Sequence, residues 1–115
     1  MIVNKGVQGI VSALQAQAWQ IAVGSGSTRP WYDNLTLETE TGRGDATVTL
    51  ATTTFANDTL EFYAEIAFVS EMSISELGIF NVEGTEYMLL RKTFSAISLP
   101  ATVSLIVRYR VQFKI

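Results

Sequence analysis

From Val103 to Ile115 apolar and polar positions alternate: Val103, Leu105, Val107, Tyr109, Val111, Phe113 and Ile115 stand against Ser104, Ile106, Arg108, Arg110, Gln112 and Lys114. Side chains on a strand point to opposite faces with period two, so the pattern predicts a long, half-buried β-strand with one apolar face and one largely polar, basic face. The aromatic and aliphatic content of the apolar face predicts an interior or well-covered place in its sheet. Because the alternation holds to the final residue, no C-terminal catalytic or recognition tail is expected. That moves the question of function from a pocket toward a surface.

The same period recurs upstream. Val48, Leu50 and Thr52 alternate up to an Asn57-Asp58 turn, and Leu60, Phe62, Ala64, Ile66 and Phe68 share a face opposite Glu61, Tyr63 and Glu65. Residues 74–80, the Glu83-Gly84 turn and residues 87–94 continue the series, and 95–102, with Pro100, lead into the last strand. Short strands at regular intervals predict an all-β sandwich or barrel. Near the start the period changes. Residues 1–4 suit a short strand, whereas Val7, Ile10, Val11, Leu14 and Ala18 fall on one face of a helix, with Asn4 as its N-cap. Gly9 weakens that helix by ~1 kcal/mol relative to alanine. Its apolar face is expected to cover a sheet or a neighbouring subunit. Residues 19–23 read as a strand stopped by Gly24-Ser25-Gly26-Ser27, small residues able to take positive φ. Residues 28–43 read as a long surface connection with a turn of helix near Asp33. The predicted class is mainly β, an antiparallel β-sandwich with one short N-terminal α-helix, in a single domain spanning residues 1–115.

Composition narrows the chemistry. A chain of 115 residues that is 48% hydrophobic and 17% charged can bury a real core without staples. There is no cysteine, which excludes disulfides, thiolate-bound metal and thiol redox chemistry, and no histidine, which removes the commonest general base and metal ligand. A net charge of −3 argues against a nucleic-acid partner. Arg91, Lys92, Arg108, Arg110 and Lys114 cluster late in the chain, either as solvated strand faces paired with acidic neighbours or as a contact surface for an acidic partner. No stretch approaches the ~18 apolar residues of a membrane-spanning helix, and the first residues do not form a secretory signal.

The remaining candidate chemistry is thin. The carboxylate pairs Glu38/Glu40, Glu61/Glu65 and Glu83/Glu86 fall in turns, loops or four residues apart on one strand face, which suits solvated surface better than acid/base work or calcium binding. Gly24-Ser25-Gly26-Ser27 lacks the lysine and the spacing of a phosphate-binding loop. No catalytic residue, metal ligand or cofactor site is assigned. Arg29, Trp31 and Tyr32 are the candidate interaction residues, because arginine and large aromatics concentrate at interface hot spots. The alternative is that Trp31 folds down as a cap on the core.

Several segments, taken in order, resemble a small β-sandwich module of tailed-phage and prophage virion proteins, including decoration-like and tail-fibre-like chains. They are the opening Asn4-Lys5-Gly6-Val7 with its short helix, and Ile21-Ala22-Val23-Gly24-Ser25-Gly26-Ser27-Thr28-Arg29-Pro30. A spacer with Asp33, Leu37, Glu40 and Arg43 follows, then Ser75-Glu76-Leu77-Gly78-Ile79-Phe80-Asn81, Met88-Leu89-Leu90-Arg91-Lys92-Thr93-Phe94-Ser95-Ala96-Ile97 and the alternating final strand. Ser27 stands where the module has a second threonine, and Trp31-Tyr32 is an insertion. The resemblance implies a non-enzymatic virion structural protein, foremost a capsid decoration or cement protein on the outer surface of the head. A tail, collar or fibre-adaptor component is the alternative, and a carbohydrate-binding sandwich using Trp31 and Tyr32 is a more distant one. The implied partners are the major capsid protein or another virion structural protein and further copies of the chain, most simply as a trimer. The implied location is a virion assembled in the bacterial host cytoplasm. In the module Gly78 and Glu76 look like fold determinants, with Gly78 marking a bulge or a close backbone approach.

Overall fold

The computed structural model, which describes residues 1–114, contains strands β1 (Trp19–Gly24), β2 (Glu40–Ala51), β3 (Thr59–Phe68), β4 (Met72–Asn81), β5 (Tyr87–Leu99) and β6 (Val103–Gln112), preceded by helix α1 (Asn4–Gln15). The protein is mainly β and antiparallel with one short N-terminal helix. Its strands form one six-stranded sheet in the order β5-β4-β1-β2-β3-β6. Two separate facing layers, the expected sandwich, give way to this single sheet curled into a half-barrel. The corner lies in β2: residues 40–46 pair with β1, whereas 47–51 pair with β3. A strand that changes partner along its length turns the sheet, and the two halves then close over a common core.

That core joins Ile21 and Val23 of β1, Leu60, Phe62, Ile66 and Phe68 of β3, Ile74 and Ile79 of β4 and Val107 of β6, all buried. Val7 and Val11 of α1 belong to the same cluster and Leu14 packs against it, so the helix covers the sheet, while Ile10 stays exposed. Asn4 is the first helical residue and not the cap; Val3 holds that position, with no side-chain cap bond. Residues 1–3 form no strand. The Trp19 indole donates to the Leu14 carbonyl (2.8 Å) and packs edge-on against Phe62, which fixes the end of the helix to β1 and β3.

Two strand boundaries depart from the sequence pattern. β2 begins at Glu40, inside the expected surface connection, because its first half turns glycines toward the core. A Cβ on Gly42 would lie 2.8 Å from the Phe68 ring, and one on Gly44 would lie 2.9 Å from the Glu65 carbonyl. Absent side chains on β2 make room for β3 to fold across it. The last strand, β6, is an edge strand that pairs with β3 alone. Its alternation is real, with the odd positions of 103–113 turned inward, but among its described residues only Val107 is buried, because no described strand pairs on its outer side. The expectation that Ile115 continues the strand lies outside the described residues. β5, at the other edge, runs on to Leu99. The curl brings Lys92 of β5 to 5.7 Å from the Tyr109 ring of β6, and a cavity of about 200 Å³ lies between the two edges. Among the described residues, no helix is long and apolar enough to cross a membrane.

Candidate functional site

The residues between β1 and β2 lie across the outer face of the sheet, and one buried carboxylate holds them there. Glu76, fully buried in β4, accepts hydrogen bonds from the backbone N–H groups of Gly26 (2.8 Å), Glu38 (2.9 Å) and Thr39 (2.8 Å). The Arg91 guanidinium, 3% exposed, reaches it from β5 with Nε at 2.9 Å. Burial pushes the Glu76 carboxyl upward, but the N–H groups of Thr39 and Glu38, the Arg91 guanidinium and the Gly26 N–H outweigh it and hold the pKa below the usual carboxylate range. Ser75 adds a bond from its hydroxyl to the Gly26 carbonyl (2.8 Å).

This clamp explains the small residues at 24–27. Neither glycine takes a positive φ, contrary to the turn chemistry expected of them. What matters is the missing Cβ, which on Gly24 would collide with the Thr39 carbonyl and on Gly26 with the Glu76 carboxylate. Gly78 has a related role: its Cβ would meet Leu37 at 2.8 Å, so it is a close approach and not a bulge. Leu37 packs there on Ala22 and Phe80, giving the loop a small apolar core of its own. At the edge of that core the Arg43 guanidinium lies 4.1 Å from the Phe80 ring centre and pairs with Glu40 and Glu86, both at 2.8 Å. Glu38 closes the loop from the other side. The Thr28 hydroxyl and Ser27 N–H stabilise its carboxylate and lower its pKa.

Arg91 carries the clamp outward. Its Nη1 donates to the Thr28 carbonyl (2.9 Å) and to Asn34 Oδ1 (3.2 Å), and that oxygen also accepts the Trp31 N–H (3.0 Å). The Asn34 N–H returns a bond to the Trp31 carbonyl (3.1 Å), closing a tight turn where a turn of helix was expected. The turn is fastened at its base and displays its tip: Trp31 is 64% and Tyr32 96% exposed, with ring centres 5.6 Å apart. Trp31 therefore does not cap the core. Arg29 and Asn34 from the loop and residues 88–91 of β5 complete the walls of a groove of about 490 Å³ beside the two aromatics.

The structure thus brings Arg29, Trp31 and Tyr32 to one surface feature and adds the adjoining β5 residues with Arg91, which the sequence left between a solvated strand face and a contact surface for an acidic partner. A signal was present, since Glu76 and Arg91 each interrupt an apolar run, but nothing in the sequence paired them. The other carboxylates scatter. Glu61 meets Arg110 (2.7 Å), Glu83 accepts the Ala18 N–H (2.7 Å), and no three acidic side chains converge among the described residues. A second buried carboxylate, Asp58, sits at the far turn and accepts the N–H groups of Thr53, Thr54 and Phe55 and the Thr59 hydroxyl. Burial raises its pKa, yet these donors hold it well below the ordinary aspartate value. It secures the β2–β3 turn and, through Gln112 (3.1 Å), the end of β6. In comparisons with known proteins, no family model matches the chain and no curated protein matches it significantly.

Proposed function

We propose that this chain is a non-enzymatic bacteriophage virion structural protein, a capsid decoration or cement protein that binds the outer surface of the head and associates with further copies of itself. The observation that carries the reading is the buried Glu76–Arg91 clamp, which commits a buried ion pair to holding a surface loop that displays two exposed aromatics. Further support is that the resemblance segments converge in space. The Gly24-to-Gly26 stretch, the Ser75-Glu76 pair and the Met88-to-Arg91 stretch form one interlocked unit, so the spacing that marks the resemblance has a physical cause.

Density for this chain in an electron-microscopy map of purified particles tests the proposal, together with its copy number. Hundreds of copies on the head support decoration, a few to tens at the tail assign it to a tail, collar or fibre-adaptor role, and absence from particles overturns both. The exposed Trp31–Tyr32 pair also suits stacking on a sugar ring, and a glycan array distinguishes that carbohydrate-binding alternative by hits that vanish in Trp31→Ala.

A further inference from the structure

We infer that the groove between the Trp31–Tyr32 turn and strand β5 binds a short, extended, acidic segment of a partner protein, whose carboxylate meets Arg29 while a neighbouring apolar side chain packs on Trp31. This deepens the proposed assembly role by naming the chemistry of the partner.

Three observations converge on that occupant. The first is charge. Arg29 is exposed on the groove wall and forms no ion pair among the described residues. Arg91, on the opposite wall, is committed to the clamp through Nε and Nη1 and its Nη2 is buried, so the charge open to a ligand is that of Arg29. A planar guanidinium with no ion pair of its own matches a carboxylate in a fork of two parallel bonds. The carboxylate of Asp33, at the tip of the same turn, does not line the groove. The second observation is the strand edge. β5 pairs with β4 alone, so its other side offers unpaired main-chain donors and acceptors. The groove runs along this edge, lined by residues 88–91. Added strands bind such edges through main-chain bonds, with side-chain pockets supplying selectivity.

The third observation limits the length of the segment. Opposite Ile79 and Phe80 the pairing of β5 slips from Leu90 to Met88, leaving Leu89 as an extra residue, and a second slip follows opposite Ile74 and Glu76. Bulges bend an edge and stop a neighbouring strand from running along it, which protects the free chain from indiscriminate pairing. A short segment held by charge and aromatic contact fits this edge, and a full added strand does not.

The test is a titration of isotope-labelled full-length protein, followed by NMR, with two blocked hexapeptides of sequence Ser-Val-Glu-Leu-Glu-Ser and Ser-Val-Gln-Leu-Gln-Ser. The acidic peptide should shift the Trp31 indole N–H and the amides of residues 88–91, and should bind about tenfold more tightly than its amide counterpart. Arg29→Ala and Trp31→Ala, both exposed positions, should each weaken it about fivefold or more with unchanged spectra elsewhere. No shift at about 2 mM peptide, shifts confined to another face, or equal binding of the two peptides would overturn the inference. Particles containing the protein would leave the assembly role standing in that event. Peptide binding by a protein absent from particles would uphold the groove and sink the virion role.

Discussion

Replacing Glu76 with alanine should show how much of the fold depends on the clamp. The substitution removes the acceptor for the Gly26, Glu38 and Thr39 N–H groups and the counter-charge of Arg91, in a place where the two side chains are 0% and 3% exposed. An unsatisfied buried polar group costs about 1–3 kcal/mol, but Glu38 and Thr39 are exposed residues whose N–H groups water can reach once the loop loosens, so three such costs do not add. The stranded guanidinium dominates, because breaking a buried pair from one side costs about 3–5 kcal/mol. A loss of about 4 kcal/mol is therefore expected against the ~5–15 kcal/mol that stabilises a typical domain. Urea unfolding followed by circular dichroism gives the free-energy difference, and hydrogen exchange should show the Gly26, Glu38 and Thr39 amides losing protection. The double substitution Glu76→Ala/Arg91→Met supplies the control. With the buried charge gone as well, it should be more stable than the sum of the single changes implies, by about 1 kcal/mol or more. A loss below about 1 kcal/mol for Glu76→Ala, or strict additivity in the double variant, would refute the clamp as the anchor of the loop.

Trp31→Ala should leave unfolding within about 0.5 kcal/mol of wild type, since the ring is 64% exposed, and should weaken self-association or particle binding in sedimentation. A large loss of stability instead would return Trp31 to the core. Gly42→Val places a branched side chain against Phe68 and should destabilise by about 1–3 kcal/mol, read as a lower urea midpoint with an unchanged slope. Leu14→Asp should lower the melting temperature of the isolated protein, because Leu14 packs against the core, and an unchanged temperature would contradict that packing. Acid should destabilise the fold in a defined window. Asp58 and Glu76 have folded-state pKa values below the unfolded values of ~3.9 and ~4.3. Their stabilisation is complete above those unfolded values and is lost as pH falls below about 4 and on through the folded pKa values. Asp58→Asn and Glu76→Gln should each flatten the fall in urea midpoint between about pH 5 and 2.

The local pattern alone was enough for much of the fold. Period-two runs at 60–68 and 103–113 became β3 and β6 because alternating side chains can bury one face only as a strand, and Val7, Val11 and Leu14 packed as a helical face for the corresponding reason. The exposed aromatic pair at 31–32 also stood out in the sequence as the candidate contact. What the tertiary structure alone decided is each feature in which distant segments meet. Residues 40–45, with two glycines and no large apolar side chain, look like a loop until Phe68 is seen to occupy the space their side chains would have filled. One curled sheet in place of two stacked layers follows from β2 exchanging partners at its middle, and alternation along a single strand carries no information about its neighbours. Likewise Glu76 and Arg91 lie fifteen residues apart on paired strands and enclose a loop from a third region of the chain. Burial and pairing of charge are properties of the assembled core, so a sequence can place an acid and a base in apolar runs without specifying which partner each will find.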